Sequence, residues 1–388
     1  MLRRTALILT GLLFPTLAVA APSGNASAGL VQKLSDSKTL HDHFRALGYK
    51  ARGGVDRATC DKNEGRSFPH FSSSFTVGGV TYPFTMVGFP PRSGRTSVNK
   101  SVIVPLRMNF VGFGPNQDIG QTFEPGPAVA NIVGSPLYQP ANFPNGRGQF
   151  VDQMQRAAFW NLMDDQHQWH VMMDQPQIAQ PVDILVTPET GTLFADDNGN
   201  IIFGDVLIDF MDSQARTILQ FLDVDADTVP IFVTDNVTAE ALGYHTAYAI
   251  GKGNSSQKLQ TYIYTSWLDP ALVPPIFADV STFNHELAEW VNDPFINNMA
   301  PDWFYPPPND PRTVCSGNPF LEVGDPQGNG PTFDDFPAAV VRIHGVDYHL
   351  QQLVLWQWFT DEVPSSAFGG WYTFPIPSSL TVPAVYCP

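Results

Sequence analysis

The chain is poor in charge. Asp, Glu, Lys and Arg make up 15% of its 388 residues, and the shortage falls on the basic side, with 21 Lys and Arg against 37 Asp and Glu. A formal charge of −16 repels phosphate backbones and anionic lipid, so neither nucleic acid nor a membrane surface is an expected partner. No segment after the N-terminus has the apolar length of a bilayer-spanning helix, so no membrane span is expected. The phosphate loop, Gly-x-Gly-x-x-Gly and the Gly-x-Ser-x-Gly elbow are all absent, and nothing points to a nucleotide fold or a serine nucleophile. Cysteine is scarce: Cys60, Cys315 and Cys387 allow one disulfide and leave one thiol over. Any pair, or none, could form. Cys315–Cys387 is favoured, because it would tie the extreme C-terminus to the loop leading into Glu322.

What is present begins with an export signal over residues 1–20. Arg3 and Arg4 form a positive start, Ala6 to Leu17 is apolar, and Ala18-Val19-Ala20 is a small-x-small cleavage site. The expected location is therefore secreted or periplasmic, with a mature chain starting near Ala21. With 43% hydrophobic residues, the remainder can bury a core of one large domain or two ordinary ones. Residues 21–70 read as a polar, partly helical segment of the kind that could be a propeptide. Residues 71–228 read as a β-rich portion, and 229–388 as the portion carrying the chemistry.

Periodicity places the elements. A short helix is expected around Leu34 to Leu47. Val77-Gly78-Gly79-Val80 reads as a tight turn between strands. Val102, Val104, Leu106, Met108 and Phe110 alternate as in a strand packed on one face, with Pro105 arguing for an edge or a bulge. Residues 111–148, rich in Gly, Pro and Asn, read as loops. A helix is expected at about 149–163, strands at 182–187 and 191–195, and a turn at Asn198-Gly199. A helix at about 212–222 precedes a strand at 230–234, and 243–251 and 258–266 read as a strand pair. Residues 301–337 read as irregular. A last helix is expected at about 348–360 from Leu350, Val354 and Trp358.

The feature with chemistry is the helix expected at about 280–292. Val280, Phe283, Leu287 and Trp290/Val291 recur at helical spacing, Asp279 or Ser281 can cap its start, and Pro294 cannot continue it. His285 and Glu289 stand one turn apart on one face, so both can reach one ion. Glu286 beside them can take a proton from water activated by that ion. In His-Glu-x-x-His peptidases the second ligand is histidine; here it is Glu289, which widens the metal choice from zinc toward calcium or manganese. Glu322 is the best third ligand, with Asp325 orienting His285 through its other ring nitrogen. His245 is a further option, either completing the coordination or stabilising a developing negative charge. Tyr348 and His349 are less specific candidates for that last role. The bland reading is that His-Glu-x-x-Glu is a solvated helix face.

His285 to Pro294, HELAEWVNDP, resembles a signature shared by the plant EXORDIUM/phosphate-induced proteins and a set of secreted bacterial proteins with a zincin-like domain. Glu322 to Asp325 matches their downstream Glu-(Ile/Val)-(Gly/Ala)-Asp element, and Gly243 to His245 their Gly-(Tyr/Phe)-His element. Tyr348-His349-Leu350-Gln351 through Trp356, and Gly370-Trp371-Tyr372, also resemble the bacterial group. Pro326 stands where the plant proteins usually have cysteine, and Trp290 where a smaller residue is usual. The resemblance covers 229–388 well and 70–228 weakly. It implies a zinc-peptidase-like domain, either active or reduced to binding.

Elsewhere, His167-x-x-His170 with Asp164 could offer ligands from one helical face, and His41-Asp42-His43 reads as a solvated helix surface. Asp196-Asp197-Asn198 resembles a calcium loop only superficially, because its glycine is misplaced. The expectation is an α+β, zincin-like fold. A mixed sheet lies beside a helix that presents His285 and Glu289 as ligands with Glu322, Glu286 as base, Asp325 in support and His245 nearby. The expected function is a secreted metal-dependent hydrolase acting on peptide or protein. The alternative is a noncatalytic extracellular binding or cell-surface protein with a structural metal, whose site would be closed and buried rather than open to a cleft.

Overall fold

A computed structural model describes residues 31–33, 37–50, 52–55, 67–163, 168–250, 258–305, 311–328, 338–362 and 384–387. The export segment, Cys60, His167 and the 370–372 aromatics lie outside them.

The fold is α+β, with helices packed on a mixed sheet. The spine of the sheet is one 18-residue strand, Thr96–Phe113. Strand 228–235 pairs with it in parallel, 258–267 follows in parallel, and 243–250 closes antiparallel, with Arg52–Gly53 at the far edge. On its other side the long strand meets 170–173, 177–178 and 182–186 in turn, while 119–123 pairs antiparallel with its C-terminal end across from 182–186. The expected division at 228/229 therefore runs through one continuous sheet.

Both faces of the sheet are buried, because alternate side chains enter two different cores. Ile103, Ile231 and Ile263 face a core that includes Phe283, Leu287 and Trp290 of the His285 helix. Val104, Phe232 and Tyr262 face the opposite core with Met211, Ala215 and Leu219 of the helix Ile208–Leu222. Val104, Leu106, Met108 and Phe110 do share one face as their alternation requires, but Ile103 buries the opposite face as well. The reading of Pro105 as an edge or a bulge is corrected. Pro105 pairs with Val233 inside the sheet, at the point where partner 177–178 has ended and partner 182–186 has not begun. A residue without an N–H fits where the neighbouring strand is interrupted.

Two other expectations fail for local reasons. Residues 111–148 are not all loop. They hold strand Ile119–Phe123 and helix Gly126–Gly134, which starts with Pro in its first turn and buries Ala128, Val129 and Ile132. Residues 348–350 are strand rather than helix, since Val346–Leu350 forms a hairpin with Ala339–Ile343 through the left-handed pair His344-Gly345. Helix follows only at Trp356–Thr360. The Gly78-Gly79 turn, helix 37–47, strand 191–195 and strand pair 243–250/258–267 lie where periodicity puts them.

Cys315 and Cys387 form a disulfide across 72 residues. The tail also pairs with the segment before it, through Cys387 N–H to the Asp302 carbonyl at 2.9 Å and the Trp303–Tyr386 bridge. A loop of this length closed by a crosslink stabilises by about 2–4 kcal/mol. Replacing both cysteines by serine is expected to lower the unfolding free energy by that amount in a denaturant titration. An unchanged midpoint would show that the backbone pairing alone holds the tail.

At the end of strand 228–235, burial and then the charge of Asp269 push the Asp235 carboxyl up to about 7. A carboxyl raised in the fold takes its proton more readily than in the unfolded chain. Stability therefore falls as pH rises from about 4 to about 7. Asp235→Asn is expected to melt above the parent at pH 8 and level with it at pH 4, as followed by circular dichroism.

Candidate metal centre

The helix runs Ser281–Asn292, and every residue on it is buried. Its apolar stripe enters the sheet core as the periodicity requires. Its polar face is buried as well, against strand 243–250 and the segment 321–325, so the reading of a solvated face does not hold. Asp279 does not cap the helix through its first turns. It sits at φ 45°, hydrogen-bonds the Val280 N–H, and accepts from the His349 backbone and ring.

Strand alternation delivers His245. Ala247, two residues along, lies in the core shared with the His285 helix, while Tyr244 and Tyr248 turn to the other face. His245 therefore points at the helix, fully buried, with Nδ1 3.3 Å from Glu286 Oε2 and 3.8 Å from Glu289 Oε2. Its Nε2 is 3.2 Å from the Asp293 carbonyl and 3.8 Å from Glu322 Oε2. A carbonyl can only accept, so that contact places the proton on Nε2 and leaves the Nδ1 lone pair toward the glutamates.

His285 is fixed the same way by a residue that sequence reading did not select. Its Nδ1 meets Gln351 Oε1 at 2.8 Å, and Gln351 Nε2 donates to the Gly324 carbonyl at 3.3 Å, which sets the amide orientation. Gln351 is itself clamped, because its N–H donates to Asn284 Oδ1 and its carbonyl accepts from Asn284 Nδ2. Nδ1 therefore carries a proton, and Nε2 faces Glu289 Oε1 at 2.9 Å and Asp325 Oδ1 at 3.7 Å. Asp325 was expected on the other ring nitrogen. It stands instead on the Nε2 side, held by Asn318.

Two glycines make these approaches possible. A Cβ on Gly324 would come within 2.4 Å of the His285 ring, and one on Gly243 within 2.8 Å of Glu286 Cγ. The Gly324 N–H also donates to Glu289 Oε1 at 3.2 Å.

The electrostatics are severe. His285 Nε2, Glu286 Oε1 and both oxygens of Glu322 are buried with no hydrogen-bond partner. Among the described residues, the ion-pair partners of Glu286, Glu289 and Glu322 are imidazoles, with no Lys or Arg among them. Burial, then the charges of Glu289 and Asp325, hold the Glu286 carboxyl well above its usual range. Burial and then Glu289 do the same to Glu322. Burial also works against charge on Glu289, but His285 outweighs it and keeps that carboxyl low. Burial pushes His245 down to about 4. It opposes charge on His285 too, yet contact with Glu289 raises that imidazole. Buried lone pairs and carboxylates facing one another are costly unless a cation or protons lie between them. The residues fit a divalent ion.

Tyr49 is a second residue that sequence reading missed. Its ring stacks on His285 at 3.5 Å between centroids and 9° between planes. The segment carrying it is built into the fold through helix 37–47, strand 52–53 and the Leu242 N–H to Gly48 carbonyl bond.

The other constellations do not assemble sites. His170 lies on a strand, bonded to buried Asp152 at 2.9 Å, so the helical face expected for His167-x-x-His170 is absent at its second residue. His41 and His43 are partly buried against Phe277, Phe194 and Phe203, while Asp42 between them is exposed. Asp196 accepts from the backbone of Asn198 and Asn200, as a turn requires. The sulfurs of Cys315 and Cys387, close to Asp302, are consumed by the disulfide. No protein-family profile, curated protein or solved structure matches this chain.

Proposed function

We propose that the protein is a secreted or periplasmic metal-dependent hydrolase of zincin-like, peptidase-like type. One observation carries the reading: His285 Nε2, Glu286 Oε1 and both oxygens of Glu322 are buried without hydrogen-bond partners, and the ion-pair partners of the glutamates among the described residues are imidazoles. The resemblance of HELAE and EVGD to secreted zincin-like proteins supports it. His285 and Glu289 would hold the ion with Asp325 or Glu322. The imidazole favours zinc, and the carboxylates beside it keep manganese or calcium as alternatives. When bound, such an ion polarises a carbonyl and lowers the pKa of water. Glu286 is the proton acceptor: it lies beside His245, its Oε1 is uncommitted, and burial holds its carboxyl above the usual carboxylate range. His245, beside Glu286, is placed to steady charge as it develops. Gln351 and Asn284 orient His285.

Closure of the site favours a second reading. With His245, His285, Glu286, Glu289 and Glu322 at most 2% exposed and Tyr49 stacked on His285, the centre matches the closed form expected of a structural metal. Under the hydrolase reading, Tyr49 must move to admit a peptide. Elemental analysis of protein purified without chelator tests both readings: at least one equivalent of transition metal per chain is expected, and trace amounts would remove both. Tyr49→Ala then separates them. In an enzyme it is expected to raise peptide hydrolysis several-fold and to speed metal stripping by a chelator. With a structural metal it speeds stripping alone.

A further inference from the structure

We infer that the centre holds two divalent cations bridged by Glu289, one set by His285 and Asp325 and the other by His245 and Glu322. This rests on the reading of the centre as a metal site and goes beyond it in number and arrangement. The donors fall into two groups rather than one. One ligand atom each from His285, Glu289 and Asp325 lie within 4.8 Å of one another, and so do one each from His245, Glu289 and Glu322. The two histidines share no group. Glu289 belongs to both, and its oxygens divide between them: Oε1 is 2.9 Å from His285 Nε2, and Oε2 is 3.8 Å from His245 Nδ1. With metal–ligand bonds of about 2.0–2.2 Å, one ion can be satisfied by one trio and leaves the other facing nothing.

Each trio carries its own unpartnered buried donor. In the first it is His285 Nε2, which faces carboxylate oxygens, and in the second it is Glu322, 1% exposed, with neither oxygen hydrogen-bonded. An ion in the first trio leaves the Glu322 carboxylate buried and uncompensated, and an ion in the second leaves His285 Nε2 pointed at carboxylate. Charge counts the same way. Glu286, Glu289, Glu322 and Asp325 together bring four formal negative charges, and one divalent ion balances two. A carboxylate presenting one oxygen to each ion spans a pair about 3.5–4 Å apart, the spacing of two-metal hydrolytic sites. Such a pair grips both the attacking and the leaving oxygen in a displacement. Glu286, outside both trios but 3.3 Å from His245, remains free to act as base.

The test is stoichiometry and spin coupling on the full-length secreted chain. Protein stripped of metal, loaded with Mn2+ and desalted is expected to show two ions per chain by native mass spectrometry and an exchange-coupled electron paramagnetic resonance spectrum. Glu322→Gln and Asp325→Asn should each retain one ion and give the spectrum of isolated Mn2+. One ion in the parent protein overturns this inference and leaves the single-metal reading standing; no ion overturns both. Two ions without exchange coupling, or a folded Glu322→Gln that still holds two, also overturns it. If either variant fails to fold, as judged by circular dichroism, the count and coupling in the parent protein still decide.

Discussion

Glu286→Gln is expected to keep its metal and lose hydrolysis. Glutamine preserves the volume and one oxygen of a side chain that is fully buried, with its Cγ against Gly243, so packing should survive the change. Glu286 lies in neither ligand trio, so metal content should equal that of the parent protein. What disappears is the proposed proton acceptor. A positioned base contributes about 10²–10⁴-fold to a rate, and the loss should appear in kcat rather than in KM. The measurement is kcat on a peptide library hit, alongside elemental analysis of the same preparation. A variant with full activity would remove Glu286 from the mechanism. One that loses metal and activity together would make Glu286 a ligand instead.

Gly324→Ala should have the other large effect, and through a different cause. The added methyl would sit 2.4 Å from Cε1 and Nδ1 of His285, too close for any real contact, and the ring has no room to yield because Tyr49 is stacked on its face. Either His285 swings away from Glu289 or the 321–325 segment retreats, taking the Gly324 N–H from Glu289 Oε1. Both moves loosen the first trio. Disturbing the shell around metal ligands commonly weakens binding by about 10–100-fold, and here a ligand itself is displaced, so a loss at the upper end is expected in a competition titration with a chromophoric chelator. The melting temperature of the metal-free protein should change far less than the metal affinity. Unaltered affinity would show that the His285 position in the structure is not the one that binds.

These two residues also show why the site was partly legible. Glu286 could be picked from the string, because His-Glu-x-x-Glu on an amphipathic helix fixes which side chains share a face at a pitch of 3.6 residues. The helix ends, the Gly78-Gly79 and Asn198-Gly199 turns and the strand pair 243–250/258–267 follow from equally local rules. Gln351 and Tyr49 were not selected, and no local rule selects them. Gln351 sits in a stretch whose Leu350, Val354 and Trp358 imitate a helix but whose first part is a hairpin strand, and it reaches His285 from 66 residues away. Tyr49 lies in a segment that looks detachable by composition and is anchored by contacts with residues some two hundred positions distant.

The sequence by itself determined the elements of the centre. It singled out His285, Glu286 and Glu289 on one helix, His245 on a strand, Glu322 and Asp325 on the segment that follows, and Cys315–Cys387 as the favoured staple, because each depends on spacing or on counting. Only the tertiary structure decided how they are used. Long-range sheet order brought His245 opposite the helix, Asp325 to the Nε2 side of His285, Glu322 to His245, and Glu289 between the two groups. It also buried what a helix surface would normally expose. Which oxygen faces which imidazole depends on how distant segments pack, and no periodicity along the chain encodes that.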